Sequence, residues 1–204
     1  MSTESYSNTL PMESYFKSKG YVPGGIITNS RHENLDIEAM PPFLRTLLVT
    51  DGTVTKSLEA FFWEPVVVEN LGQTPVTLSS AIEWINMRPG DSALQREVRL
   101  KGEISGKVYA YAKSWLRLDL IPQGLKEDFL AGNIGIGELL RERGLESYRE
   151  VLDIGREIDE SLAPVFNSAK CGELLYRTYR VFMQGEATIL ITEKFPYRLY
   201  NDRT

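Results

Sequence analysis

Two stretches near the C-terminus, Leu174–Met183 and Ala187–Phe195, flank the dipeptide Gln184-Gly185 and read as a β-hairpin. Side chains of a strand alternate between its two faces. In ATILITEKF this puts Ala187, Ile189, Ile191, Glu193 and Phe195 on one face, with Thr188, Leu190, Thr192 and Lys194 opposite. Glu193 therefore sits on the oily side. An unpaired buried carboxylate costs several kcal/mol or changes its pKa, so it needs a partner, a proton or a ligand. The stretch Leu94–Leu100 (LQREVRL) offers a counterpart, because Leu94, Arg96, Val98 and Leu100 share a face. A cation and an anion on the apolar faces of separate strands can frame a small polar ligand inside a core. They can equally form a plain structural ion pair.

The same alternation defines further strands. Leu94–Lys101 and Lys107–Asp119 are joined by the turn-like GEISG, and in the second of them Val108, Ala110, Ala112, Ser114, Leu116 and Leu118 line one face. Pro65–Glu69 and Tyr148–Ile154 complete a set of six. Helices are expected at Phe43–Val49 after Pro41-Pro42, from Thr53 or Thr55 as cap through Phe62, and at Leu125–Ala131 and Ile136–Arg143. Asp51-Gly52 is a turn signal, and Gly155–Gly172 reads as a surface loop or short helix. Strands outnumbering helices that cluster between them indicate an α+β fold with an antiparallel sheet, not a parallel doubly wound one. Residues 1–35 read as a flexible N-terminal arm with a short helix near Met12–Lys19, and residues 36–204 as a single domain.

Composition limits the function. The net charge of −5 argues against a general nucleic-acid binder. No apolar run reaches the ~20 residues of a membrane-spanning helix, and the N-terminus lacks a signal-peptide pattern. Cys171 is the only cysteine and His32 the only histidine, which excludes an intrachain disulfide and any site needing two histidines of one chain. A cytoplasmic monomer or homodimer acting on a small molecule, with neither membrane nor nucleic acid as partner, fits these limits. Cys171 has no histidine base near it in sequence, and His32 sits in the polar arm, so neither reads as catalytic. The glycines of Ala131–Leu140 (AGNIGIGELL) match neither a Walker loop nor a dinucleotide fingerprint; they suit an anion at a helix start or a plain turn. Arg177 and Arg180 point to opposite faces of their strand, and Arg180 is taken as the one that reaches a ligand.

Four blocks carry a resemblance: Leu47–Glu59 (LLVTDGTVTKSLE), LQREVRL with Arg96, GNIGIGELL, and YRVFMQGEATILITEKFP with its T-E-x-F element at Glu193. In this order and spacing, from about Phe43 to Tyr200, the chain resembles the chorismate pyruvate-lyases (4-hydroxybenzoate synthases), in the branch long carried as a domain of unknown function. The resemblance implies a six-stranded antiparallel sheet with helices on one side and an enclosed site under helical flaps. It implies conversion of chorismate to 4-hydroxybenzoate and pyruvate with no metal or cofactor. Arg96 with the backbone amides of Val54 and Ile136 would hold the ring carboxylate, and Glu193 would lie at the hydroxyl end. Three departures stand out: the long N-terminal arm, a last hairpin one residue longer than in compact bacterial enzymes, and Gly135 where those have proline. The alternative is a non-catalytic domain of the same fold that binds an aromatic carboxylate.

Overall fold

The computed structural model describes residues 25–50, 53–132 and 135–201. The helix expected near Met12–Lys19 and the Asp51-Gly52 turn lie outside them. A two-stranded hairpin, β1 (Ile26–Thr28) and β2 (Asn34–Asp36), precedes helices α1 (Pro42–Val49) and α2 (Val54–Phe62). Strands β3 (Val66–Thr77), β4 (Ser92–Gly102) and β5 (Val108–Leu116) follow, then helices α3 (Gln123–Ala131) and α4 (Ile136–Glu142). The chain ends with β6 (Ser147–Glu157), β7 (Leu174–Met183), β8 (Glu186–Pro196) and the short α5 (Tyr197–Asn201). The last six strands form one antiparallel sheet in the order β3-β4-β5-β8-β7-β6.

Helix faces explain which side of the sheet is covered. Leu44, Leu47 and Leu48 of α1, Leu58 and Phe62 of α2, Leu125 and Phe129 of α3, and Leu139 and Leu140 of α4 recur at helical spacing. All of them are buried in one cluster with Ile189, Ile191 and Phe195 of β8 and with Tyr179 and Val181 of β7. Each fully buried leucine contributes about 1.5–3 kcal/mol. Among the described residues, the opposite face carries no α-helical layer; it is covered by the β3–β4 connection, through Leu78, Ile82, Trp84 and Ile85, and by the Leu162–Cys171 segment. No helix among the described residues is long and apolar enough to cross a membrane.

The structure departs from the sequence reading at three places. Residues 25–35 do not behave as a loose arm: Ile27 and Leu35 are buried in the main core, and Asp153 accepts hydrogen bonds from the Ser30 amide (2.9 Å) and hydroxyl (2.5 Å). Strand β3 runs well past Glu69, because it pairs along the whole of β4 with a bulge at Asn70/Gly72. Its Gly72 and Pro75 are tolerated there because it is an edge strand. Ala187 is not on the Glu193 face. Val181 pairs with Ile189 but Phe182 with Ala187, so Thr188 is a bulged residue and Ala187 turns to the second cluster. From Ile189 onward the alternation is as expected.

Candidate functional site

Between the sheet and the helices lies a half-enclosed cavity of ≈ 70 Å³, several times the ~10–15 Å³ that one water requires. Strand register builds its floor. Arg96 pairs with Ser114, Ser114 with Ile191, and Ile191 with Tyr179. The adjacent row holds Val98, Ala112, Glu193 and Arg177. Small residues on β5, Ala112 and Ser114, leave space in the centre. The roof comes from the starts of α2 and α4, where Val54 and Ile136 are the first helical residues and both line the cavity. The first N–H groups of a helix have no partner within it.

Glu193 is 7% exposed and its ionic partner is Arg177, not Arg96. Arg177 Nε donates to Glu193 Oε2 at 2.8 Å, and the Tyr179 hydroxyl donates to Oε1 at 2.9 Å. Arg177 Nη1 also donates to the Thr50 carbonyl at the end of α1 (2.9 Å), and its guanidinium lies over the Tyr179 ring. Burial opposes the Arg177 charge, but the Glu193 carboxylate and, behind it, the Tyr179 hydroxyl together offset it and hold the guanidinium above its ordinary value. Burial, then the neighbouring carboxylate, push the Tyr179 hydroxyl upward, so it stays a donor. Two donors aimed at the two oxygens suit a carboxylate anion.

Arg96 stands across the cavity from this network, two strands and roughly 10 Å from Glu193 along the sheet. It is 3% exposed, and burial pulls its guanidinium down from its usual value. Its Nη2 donates to the Gly132 carbonyl at 3.0 Å, just past the end of α3. Gly132 has φ +66°, a conformation that strains any other residue, and a Cβ there would have to displace the Asn70 and Gln73 side-chain amides, 2.4 and 2.9 Å away. That close approach ties α3 to β3 and β4 above the cavity.

Of the residues singled out from sequence, Arg96, Glu193, Val54 and Ile136 come together on this cavity. Arg180 does not. It lies on the other face, paired with Glu150 at 2.5 Å, donating to the Trp84 carbonyl and stacked on Phe182. Its register partner Leu190 belongs to the second cluster, so parity sends Arg177 inward and Arg180 outward. The sequence reading does not single out Tyr179, Arg149 or Glu138, which also line the cavity. The signal for Arg149 was its alternation with Val151 at the start of a strand otherwise read only as a strand.

A six-stranded antiparallel sheet with helices on one face places the chain in the chorismate lyase-like class of α+β folds. Among solved structures, the effector domain of PhnF from Mycobacterium smegmatis shares this fold, with a TM-score of 0.57 at 15% identity over 71% of this chain and 88% of that one. In sequence, the chain is 28% identical to the chorismate pyruvate-lyase of Mycobacterium leprae over 178 residues, 86% of this chain and 84% of that protein. It is 31% identical to MJ0807 of Methanocaldococcus jannaschii over 158 residues, 76% of this chain and 78% of that protein. The family model described as chorismate pyruvate-lyase Rv2949c-like matches residues 48–203. The chain belongs to that family.

Proposed function

We propose that the protein converts chorismate to 4-hydroxybenzoate and pyruvate. The observation that carries this reading is the pairing, in one cavity, of a buried arginine and a buried glutamate on opposite sides of a floor of small residues. Chorismate carries a ring carboxylate and, para to it, a hydroxyl. Arg96, with the Val54 and Ile136 amides, would hold the carboxylate, and Glu193 would accept a hydrogen bond from the hydroxyl. The carbon bearing that hydroxyl then loses its hydrogen. The adjacent C–O bond to the enolpyruvyl group breaks, and the departing group takes up a proton at its methylene carbon to become pyruvate. Aromatisation of the ring drives the elimination. The protein's task is orientation and proton handling.

The donor set around Glu193 favours an acceptor over an acid. Arg177 and Tyr179 occupy one lone pair on each oxygen, leaving the others for the ring hydroxyl or the departing proton. Incubation with chorismate tests the reading: 4-hydroxybenzoate and pyruvate should appear together. The likeness to the PhnF effector domain favours a second reading, a binding domain of the same fold. Tight calorimetric binding of 4-hydroxybenzoate with chorismate recovered intact would select it.

A further inference from the structure

Arg149 lies on β6, on the far side of Glu193 from Arg96, and lines the same cavity. The order β4-β5-β8-β7-β6 separates the two arginine backbones by four strand spacings, roughly 19 Å. Glu193 stands on the middle strand between them. Arg149 pairs in register with Val181, and Val181 with Ile189, so its side chain shares the face of Tyr179 and Glu193. Its guanidinium reaches the start of α4: a Cβ on Gly137, in the first turn of that helix, would stand 3.1 Å from Arg149 Nη2, and 3.7 Å from Oγ1 of Thr53, the residue before α2. Glycine at 137 therefore leaves the guanidinium room beside the helix backbone. The Arg149 charge also acts on the Tyr179 hydroxyl, lowering its pKa against the larger effect of burial.

Chorismate is a dianion, and its two carboxylates belong to different parts of the molecule. With the ring carboxylate on Arg96 and the hydroxyl on Glu193, the ether oxygen sits on the ring carbon next to the hydroxyl. The enolpyruvyl carboxylate then extends beyond Glu193, toward β7 and β6. We propose that Arg149 binds this second carboxylate and makes the cavity selective for a six-membered-ring acid carrying an ether-linked carboxylate beside its hydroxyl. The assignment rests on the lyase reading for the orientation of the ring. It gives Arg149 a role in recognising substrate that it does not have for 4-hydroxybenzoate, which lacks the second carboxylate.

Arg149→Gln tests it through that difference. The KM for chorismate should rise about 10- to 100-fold, the loss expected for one charge-assisted pair, while the Kd for 4-hydroxybenzoate stays within about twofold. Arg149→Lys should recover part of the loss, since it restores the charge without the two-pronged donor geometry. A non-reactive probe, 3-(carboxymethoxy)-4-hydroxybenzoate, gives a second readout by calorimetry. The wild type should bind it more tightly than 4-hydroxybenzoate, and Arg149→Gln should erase the difference. Equal weakening of both ligands, or weakening of neither, would overturn the proposal. The probe needs no turnover, so a wild-type protein that leaves chorismate intact would refute the lyase reading without touching this measurement.

Discussion

Glu193→Gln is the substitution with the most to lose. It conserves shape and removes one charge. The Gln carbonyl oxygen can still accept from Arg177 Nε, and the Tyr179 hydroxyl can reverse to accept from the new amide. What cannot be replaced is the countercharge for Arg177, which is 1% exposed. Breaking a buried pair by removing one partner costs about 3–5 kcal/mol. The retained hydrogen bonds, including that to the Thr50 carbonyl, put this case at the low end, near ~3 kcal/mol. For a chain of this size the midpoint Tm should fall by roughly 6–12 °C, with a folded protein at room temperature. Pyruvate release from chorismate should fall by about 10²- to 10⁴-fold, the usual contribution of a positioned acid or base. The double variant Glu193→Gln/Arg177→Met should be less destabilised than the sum of the single changes, because it leaves no orphaned charge. Thermal melts and urea titrations give the stabilities, and a pyruvate-coupled assay gives the rates. A Tm within about 2 °C of wild type, together with near-normal turnover, would refute both the buried pair and the catalytic assignment.

Arg96→Ala should weaken 4-hydroxybenzoate binding by about 10- to 150-fold in calorimetry, the range for a lost hydrogen bond to a charged group; unchanged affinity would take Arg96 out of the site. Gly135→Pro should be tolerated and raise Tm by about 1–4 °C, because Gly135 already has φ −66° and a Cβ there meets only Val68 Cγ2 at 3.5 Å. Hydrogen bonds from Arg99 and then Lys101 hold Glu69 down at about 2. A depressed carboxylate stabilises fully above its unfolded value, near ~4.3, and that contribution fades as pH falls toward the folded value. Glu69→Gln should therefore lower Tm modestly at pH 7, with the gap to wild type closing as pH drops from about 4.5 toward 2.

Period-two alternation made much of this molecule legible. It located the strands and placed Glu193 on the face that the helices cover, because burial of one sheet face imposes that pattern on the residues themselves. It could not reveal sheet order. Arg96 and Glu193 match in sequence as opposite charges on oily faces, yet β5 runs between their strands and Arg177, the direct register partner of Glu193, forms the ion pair. Parity separated Arg177 from Arg180 but gave no absolute direction; only the neighbours, Glu193 on one side and Glu150 with Trp84 on the other, decide it. Bulges shift parity without leaving a mark in composition, and so simple alternation assigns Ala187 to the wrong face. Strand β3 reads short in sequence because an edge strand needs one satisfied side only, and its polar, glycine- and proline-bearing half looks like loop. The Ile27 and Leu35 hairpin escapes a sequence reading for a related reason: three apolar residues, Ile26, Ile27 and Leu35, in a polar stretch are too few to declare an element until the core they enter is known.

The most direct test of the arrangement is the crystal structure of the protein with 4-hydroxybenzoate bound. The ring should lie over Ala112 and Ser114, with its carboxylate within hydrogen-bonding distance of Arg96 and its hydroxyl on Glu193 beside Tyr179. A ring bound in the reverse orientation, or bound outside the cavity between Arg96 and Glu193, would contradict the account.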